Sequence, residues 1–412
     1  MSKIFIQIAS YRDPQLPITL NDCISKAKYP ENLVFCIAWQ HGPEETLEQY
    51  INDPRFKIID IPYQESKGAC WARNKIQQHY NGEEFTLQLD SHHRFIDNWD
   101  EELIEMFNQL KAKGHKKPLI TSYIPSFNPE NDPGERVQVP WRMNFDRFIP
   151  EGAVFFLPAT IPNHTELTEP VPGRFYSAHF CFTIGDFCKE VPHDPEYYFH
   201  GEEISIAVRA YTWGYDLFHP HKIIAWHEYT RKGRTKQWDD DKGWGKRNEL
   251  CHLRNRKLFG MDNEIQDVDF GQYGFGTART LADYEKYAGI SFKKRAVQKF
   301  TLDHNPPPNP QYSTDEEFDQ SFLKIFKHCI DVSYSEVPEN DYDFWCVAFH
   351  DELGTTLHRK DVTEDEIKML LNDKDKYCKI WREFQTDTHP KYWVVWPHSK
   401  SKGWCEKIER SL

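Results

Sequence analysis

Apolar positions along the first 125 residues follow two alternating periods. Short apolar runs have the length and composition of strands, and longer segments with apolar residues three and four apart have the pattern of amphipathic helices. The predicted strands are Ile4–Ala9, Leu33–Trp39, Phe56–Ile61, Phe85–Leu89 and Pro118–Tyr123, and the predicted helices are Leu16–Ala27, Lys67–Tyr80 and Trp99–Lys113. Because strands alternate with helices, we predict an α/β domain with a parallel sheet and helices on both faces.

The pattern is weaker in the middle of the chain. Residues 125–175 are rich in Pro, Asn and Glu and predict loop, either a lid over a substrate or a surface excursion. Strands are predicted again at Val154–Leu157, Ser177–Ile184, Tyr215–His219 and Ile223–His227, and helices at Ile204–Thr212 and Arg247–Phe259.

A proline-rich run at 304–310 predicts a stiff, extended linker. Beyond it lie aromatic strand candidates at Phe344–His350, Tyr377–Phe384 and Tyr392–Trp396, and a helix candidate at Glu364–Leu371. We therefore predict two domains, 1–300 and 301–412, the second a small β-rich accessory domain. Its tryptophans are expected to fill a core, with at most one or two exposed, although aromatic faces can also stack on a glycan. The tryptophans are Trp345, Trp381, Trp393, Trp396 and Trp404.

Composition narrows the class of protein. The chain has 51 basic and 64 acidic residues and a net charge of −13, which argues against bulk nucleic-acid binding. No apolar run approaches the roughly 20 residues that span a bilayer, and the N-terminus enters a strand without the pattern of a signal peptide. We expect a cytoplasmic protein with no membrane span. Ten cysteines without CxxC pairs favour reduced, buried thiols over a disulfide framework.

The first candidate metal ligands are Asp90 and His92, which follow the predicted strand Phe85–Leu89. Ligands of α/β sheets bind beyond the carboxyl ends of strands, and a carboxylate with an imidazole suits Mn²⁺ or Mg²⁺. The alternative is a turn or a helix N-cap. His227 ends a later strand and is predicted as the third ligand, with fallback ligands His93, His221 and Glu228. A cation held there can neutralise a leaving nucleotide diphosphate.

Two further segments are candidates for holding a nucleotide. Ser10, Tyr11 and Arg12 follow the first strand, where Tyr11 could stack on a base; the segment also reads as the start of a helix. Arg73 lies in Ser66–Asn74, the segment that opens the predicted helix Lys67–Tyr80. Gly68 and Ala69 in this segment permit close approach, and the helix N-terminus favours anions. Arg73 is expected to reach the nucleotide or Asp90, the alternative being a surface position on an amphipathic helix.

Glu202 and Glu203 follow Gly201 at the start of a predicted helix. Acidic residues at a helix N-terminus are favourable for the helix dipole alone. The glycine before them favours a second interpretation, in which the backbone approaches a ligand and one carboxylate binds hydroxyl groups of a sugar or an acceptor. We predict Glu202 and Glu203 as the catalytic carboxylates.

Five ordered motifs between residue 1 and about residue 300 resemble the protein-hydroxyproline N-acetylglucosaminyltransferase family. They are IASYRDP (8–14), KGACWAR (67–73), LDSHHRF (89–95), HGEE (200–203) and YGFGTARTLADYEKYAGI (273–290). That family is similar, more distantly, to polypeptide N-acetylgalactosaminyltransferases, which have a GT-A fold, bind Mn²⁺ and carry an Asp-x-His motif.

The resemblance implies roles for single residues. Asp90 and His92 fall on the Asp-x-His motif, His227 falls on a later His ligand, and Arg73 falls on an Arg that faces the nucleotide. Glu202 or Glu203 falls on the acidic segment that borders the sugar and the acceptor. The relatives' acidic residue after the second strand has no match in Ala38–His41.

The resemblance also implies a GT-A (Rossmann-like) domain that transfers GlcNAc from UDP-GlcNAc, with retention, to a hydroxyl on a protein or glycan acceptor. The alternatives are a metal-dependent nucleotide-sugar hydrolase and a carbohydrate-binding protein that has lost catalysis. The sequence leaves open the acceptor and the choice among GlcNAc, GalNAc and glucose.

Overall fold

The computed structural model describes residues 2–264, 267–371 and 377–412. These form two compact units: one runs to Arg295 and includes Phe300–Tyr312, and the other consists of Ala296–Lys299 and Ser313–Leu412. The sequence predicted one boundary after residue 300, whereas residues 296–312 are divided between the two units. Each unit is described below by itself.

The first unit alternates strands and helices along most of its length. Its strands are β1 Ile4–Tyr11, β2 Leu33–His41, β3 Phe56–Pro62, β4 Phe85–Leu89, β5 His93–Phe95, β6 Lys117–Thr121, β7 Trp141–Phe148, β8 Val154–Thr160, β9 Val171–Pro172, β10 Phe180–Ile184, β11 Tyr215–His219, β12 Ala225–His227 and β13 Ile290–Ser291. Its helices are α1 Leu16–Lys26, α2 Glu48–Ile51, α3 Ala69–Gln77, α4 Trp99–Ala112, α5 Phe187–Glu190, α6 Glu202–Thr212, α7 Gln237–Asp240, α8 Trp244–Phe259 and α9 Leu281–Ala288, and the short helix α10 Lys299–Leu302 lies at the division of the units.

The main sheet has the strand order β3-β2-β1-β4-β10-β6-β11-β9. Strands β3, β2, β1 and β4 are parallel, with Ile4 paired to Leu33 on one side and to Phe85 on the other. The predicted α/β class is confirmed. The sheet is not wholly parallel, however, because β10 runs antiparallel to both β4 and β6. A buried strand shows the same apolar run in either direction, so the sequence pattern could not reveal this.

The region predicted as loop at 125–175 contains a β-hairpin. Strands β7 and β8 pair antiparallel from Trp141–Thr160 to Phe148–Val154, with a bulge between Phe145 and Arg147. Only the start of β8 was predicted. In β7 the apolar Trp141, Met143 and Phe145 alternate with polar residues, but this short signal lies within a stretch rich in Pro, Asn and Glu that was predicted as loop. Strands β7 and β8 pair with each other and not with the main sheet.

Helices cover both faces of the parallel strands, as predicted. Leu16, Leu20 and Cys23 of α1, spaced by four and three, pack with residues of α4 against one face. Ala72 and Ile76 of α3, again four apart, pack on the other face. This arrangement fixes α3 against β1 and β2. From there Arg73 reaches Asp90, which follows the carboxyl end of β4.

The second unit is β-rich, as predicted. Its elements are β14 Ala296–Val297, β15 Lys324–Ser333, β16 Tyr342–His350, β17 Thr356–Arg359, β18 Val362–Thr363, β19 Tyr377–Thr386, β20 Tyr392–Ser399, β21 Gly403–Trp404, β22 Ile408–Ser411, α11 Asp315–Gln320 and α12 Glu364–Leu371. Strands β15 and β19 form one antiparallel sheet, and β17-β16-β20-β21 form another, with β18 on β16 and β22 on β20. Residues of both sheets share one apolar core.

The tryptophans of this unit fall into a buried group and an exposed group, because successive residues of a strand point to opposite faces of the sheet. Trp345 and Trp393 are buried in the core. Trp381, Trp396 and Trp404 are 62%, 37% and 48% exposed, so the prediction of at most one or two exposed tryptophans was wrong. Trp393 and Trp396 are three apart on β20 and therefore face opposite sides, which an apolar run alone does not separate.

No helix among the described residues is long and apolar enough to cross a membrane. All ten cysteines are free thiols, which agrees with the predicted absence of a disulfide framework.

The proline-rich run predicted as a linker is part of the first unit. Arg174 is buried and donates to the carbonyl oxygens of Ala288 (3.0 Å) and Asn305 (2.6 Å) and to Oδ1 of Asn309 (2.5 Å). Burial lowers the pKa of Arg174 to about 10. The run therefore satisfies a buried guanidinium and is held against the first unit.

We predict that Asn309→Ala lowers the free energy of unfolding by about 1–3 kcal/mol, since a buried donor loses its acceptor. Urea unfolding followed by tryptophan fluorescence measures this change. Gln311→Ala, two residues away and exposed, is the control and should change it by less than about 0.5 kcal/mol. A change of less than about 0.5 kcal/mol for Asn309→Ala would show that its contact with Arg174 does not stabilise the unit.

Candidate active site

A cavity of about 450 Å³ opens at the carboxyl ends of β1 and β4 in the first unit. The predicted site residues that line it are Tyr11, Arg73, Asp90, His92, Glu202, Glu203 and His227. Ser10 and Arg12, also predicted, lie outside this lining. Ser10 is buried and its carbonyl accepts from Gln40 Nε2 (3.0 Å), while Arg12 pairs with Asp240 (3.0 Å).

Asp90, His92 and His227 converge on one point of the cavity. One ligand atom of each lies within 4.8 Å of the others. Asp90 Oδ2 is 3.5 Å from His227 Nε2 and 3.8 Å from His92 Nε2. The short pairing of β12 with β5, in which His227 lies opposite His93, brings the distant histidine to this point.

His227 is buried, and neither of its ring nitrogens has a hydrogen-bond partner among the described residues. A buried polar atom without a partner costs free energy. Burial and the neighbouring His179 lower the pKa of His227 well below its ordinary value. The ring is therefore neutral near pH 7 and has a lone pair to offer to a cation.

His92 is oriented from behind by Asp13. Its Nδ1 donates to Asp13 Oδ2 (2.7 Å), which also accepts from the Ser91 hydroxyl (2.7 Å). Burial works to raise the pKa of Asp13, but the hydrogen bond from His92 and the charge of Arg234 hold it below its ordinary value. An imidazole that donates one ring N–H to a carboxylate presents the other nitrogen, here Nε2, to a metal.

Arg73 is buried between two carboxylates. Its Nη2 donates to Asp90 Oδ1 (2.8 Å) and its Nη1 donates to Glu202 Oε1 (2.5 Å). Burial works to raise the pKa of Asp90, but the nearby His227 ring, with Nε2 3.5 Å from Oδ2, and the charge of Arg73 hold it well below its ordinary value. Burial also works to raise the pKa of Glu202, but the charge of Arg73 lowers it, and the resulting pKa is about 2. Both carboxylates are thus ionised, and Asp90 keeps Oδ2 free of Arg73.

Glu203 differs from its neighbour. Burial raises its pKa to about 7, although the Tyr123 hydroxyl (2.6 Å) and the Ala178 N–H (2.9 Å) both donate to it. Glu203 can therefore hold or release a proton near neutral pH. The helix α6 begins at Glu202 because Gly201 has a φ of 91°, a conformation that glycine adopts without strain.

Sequence reasoning missed several residues of the cavity. His179 stacks on His227 with ring centroids 4.1 Å apart, and Tyr123 contacts Glu203. Arg234, in a stretch interpreted only as polar, has Nη1 3.0 Å from His92 Nε2. No local motif marks these residues. Of the fallback ligands, Glu228 lines the cavity, whereas His93 and His221 do not.

We predict that Glu203→Gln gains stability relative to the natural protein as the pH rises from about 5 to about 8. The pKa of Glu203 is raised from 4.5 to about 7 on folding, so the folded state binds more protons than the unfolded state in this window. Stability is therefore lost as Glu203 ionises. Urea unfolding at several pH values measures the difference; Glu84→Gln, at an exposed position, is the control. A difference that is constant with pH would contradict the raised pKa.

Comparison with known protein families identifies one family that matches this chain. A family model described as Glycosyltransferase (GlcNAc) matches residues 3–50 and 43–294. The comparison with curated proteins gave no match.

Similar solved structures include GalNAc-T7 with UDP, GalNAc and Mn²⁺, at 15% identity and a TM-score of 0.48, over 69% of this chain and 56% of that one. S. aureus TarS 1-349 has 12% identity and a TM-score of 0.41, over 71% of this chain and 70% of that one. The same TarS fragment in complex with UDP-GlcNAc has 14% identity and a TM-score of 0.39, over 66% and 68%. The chain thus spans little more than half of the GalNAc-T7 chain.

The family model extends from the first strand to the helix α9 and the strand after it, which includes every residue of the cavity. Because this is more than half of the chain, the protein belongs to the Glycosyltransferase (GlcNAc) family.

Proposed function

We propose that this protein is a metal-dependent glycosyltransferase that transfers GlcNAc from UDP-GlcNAc to a hydroxyl group of a protein or glycan acceptor, with retention of configuration. The observation that carries the proposal is the convergence of Asp90, His92 and His227 in one cavity, with one oxygen of Asp90 already held by Arg73. Retention and the choice of GlcNAc rest on the resemblance of the five sequence motifs and on the family.

The residues present fit a divalent cation. One carboxylate oxygen and two imidazole nitrogens suit Mn²⁺, and one unpartnered nitrogen of His227 would gain a partner. Asp90, His92 and His227 would hold the ion. Bound there, it would supply the Lewis acidity that neutralises charge on a departing diphosphate. Arg234 Nη1 is 3.0 Å from His92 Nε2, so this guanidinium would have to move aside for that nitrogen to bind the ion.

The cavity also suits a nucleotide sugar in size and charge. Its volume of about 450 Å³ lies in the general range of 300–1,000 Å³ for small-molecule sites. Arg231, Arg234 and Lys236 line it from one loop and supply positive charge for a diphosphate. Tyr11 lines the same cavity, where its ring offers a face to a base.

The two consecutive carboxylates have different roles in this proposal. Glu202 is committed to Arg73 and acts by fixing it. Glu203 faces the cavity and accepts hydrogen bonds from Tyr123 and Ala178, and its pKa of about 7 suits it to accept a bond or a proton from a sugar or acceptor hydroxyl.

Asp90→Asn should reduce Mn²⁺-dependent release of UDP from UDP-GlcNAc by at least about 100-fold while the protein remains folded, because an amide is a much weaker ligand than a carboxylate. Release is measured by a coupled assay for free UDP, and folding by circular dichroism. Asp97→Asn, at an exposed position seven residues away, is the control and should retain activity. Near-normal turnover by Asp90→Asn would remove the metal assignment.

A donor panel tests the nucleotide and the sugar. With Mn²⁺ and no acceptor, the protein should release UDP slowly from UDP-GlcNAc, since water can enter an unfilled acceptor site, and EDTA should stop the release. UDP-GalNAc, UDP-glucose, GDP-sugars and CMP-sugars complete the panel. Turnover of GDP- or CMP-sugars without turnover of UDP-sugars would contradict the proposed nucleotide. Faster turnover of UDP-GalNAc or UDP-glucose than of UDP-GlcNAc would contradict the proposed sugar.

A further inference from the structure

The two histidines of the proposed metal site are oriented in different ways. Behind His92, Asp13 accepts a hydrogen bond from Nδ1 and so fixes the ring. A metal-binding histidine usually has such a partner on its second ring nitrogen. His227 has none among the described residues: its Nε2 lies 3.5 Å from Asp90 Oδ2, and its Nδ1 is buried without a hydrogen-bond partner. The plane of the His227 ring is therefore set by something other than a hydrogen bond.

Other rings surround His227. His179 lies face to face with it, with ring centroids 4.1 Å apart and planes 18° from parallel. Tyr229, His92 and His93 contact the same ring at larger interplanar angles of 73°, 51° and 58°. Of these four rings, only that of His179 is stacked on His227, at a centroid distance below the ~4.5–7 Å that is general for aromatic pairs. A tilt of the His227 ring toward this face would therefore bring it into collision with His179.

His179 is itself held in place. It is buried, its Nε2 accepts a hydrogen bond from the backbone N–H of Ile124 (3.4 Å), and its Nδ1 donates to the Ser177 hydroxyl (3.2 Å). Its ring is also stacked on that of Tyr123, with centroids 5.3 Å apart and planes 23° from parallel. These contacts leave His179 little freedom to move away from His227, so it can act as a fixed surface for that ring.

We propose that His179 is a positioning residue: by stacking on His227, it holds that ring in the orientation that brings Nε2 close to Asp90 and His92. This inference rests on the metal site of the proposed function. The lone pair of an imidazole nitrogen lies in the plane of the ring, so a tilted His227 would direct it away from the ion. Contact between the two rings thus does for His227 what the hydrogen bond to Asp13 does for His92.

The test separates the ring of His179 from its hydrogen bonds. His179→Phe keeps an aromatic face beside His227 and removes both hydrogen bonds, whereas His179→Asn keeps a polar side chain and removes the ring. The matched control is His219→Asn, since His219 is also buried and bonded through Nδ1 to the Thr121 carbonyl (2.7 Å) but does not line the cavity. The measurements are the Mn²⁺ dissociation constant by electron paramagnetic resonance, kcat and KM for UDP-GlcNAc hydrolysis, and the thermal unfolding midpoint.

His179→Asn should weaken Mn²⁺ binding and lower kcat by about 10-fold each, the lower end of the effect of removing a group that orients a metal ligand. His179→Phe should recover most of both, although it lowers the unfolding midpoint because the Ile124 N–H loses its acceptor. His219→Asn should lower the midpoint without changing the Mn²⁺ dissociation constant. If the natural protein binds Mn²⁺, then equal binding by His179→Asn, or an equal loss in His179→Phe and His179→Asn, would show that the ring does not position His227.

A crystal structure of His179→Asn without metal separates this inference from the proposed function. Rotation of the His227 ring out of the plane that it has beside His179 supports the positioning role even if the natural protein binds no Mn²⁺, a result that would remove only the proposed metal site. An unchanged His227 ring, with Nε2 still about 3.5 Å from Asp90 Oδ2, overturns the inference whatever the affinity for Mn²⁺.

Discussion

The ion pairs of Arg73 are the constraint on which the site depends. A guanidinium removed from water is stable only when hydrogen-bond acceptors or anionic partners replace the lost hydration. Asp90 and Glu202 provide this replacement from two different elements, the end of β4 and the start of α6. Because Arg73 itself lies on α3, its two hydrogen bonds fix three elements relative to one another. The cavity floor is therefore a single bonded unit, to which the outer loop with Arg234 is added.

Much of the fold could be predicted because each element has a local cause. The strand Phe85–Leu89, the strand Tyr215–His219 and the helix Glu364–Leu371 were predicted with their observed bounds, since a buried run or an amphipathic period begins and ends with them. The direction of β10 and the pairing of β7 with β8 have no such local cause. The direction of β10 depends on its neighbours β4 and β6 in the sheet, and β7 and β8 form a separate sheet of two strands.

The residues of the site can also be divided into those that a local sequence pattern predicts and those that it does not. Asp90, His92 and His227 were predicted because they lie at or just after the end of a strand. Arg73 was predicted to reach the nucleotide or Asp90, and its guanidinium donates to Asp90. The roles of Glu202 and Glu203 could not be separated by sequence. They are adjacent, yet α6 turns Glu202 toward Arg73, which lowers the pKa of Glu202, whereas burial raises the pKa of Glu203. Such differences between the pKa values of neighbouring residues are set by three-dimensional packing.

The short ladder between β5 and β12 has a consequence for how the chain folds. In the observed register, His227 pairs with His93 and Trp226 with Arg94. A slip of one residue would reverse the faces of β12 and direct Trp226 toward Asp90. With three residue pairs, the backbone alone discriminates weakly between these registers. A cation shared by Asp90, His92 and His227 would stabilise only the native register. Its binding would therefore favour the correct pairing of two segments that lie more than one hundred residues apart.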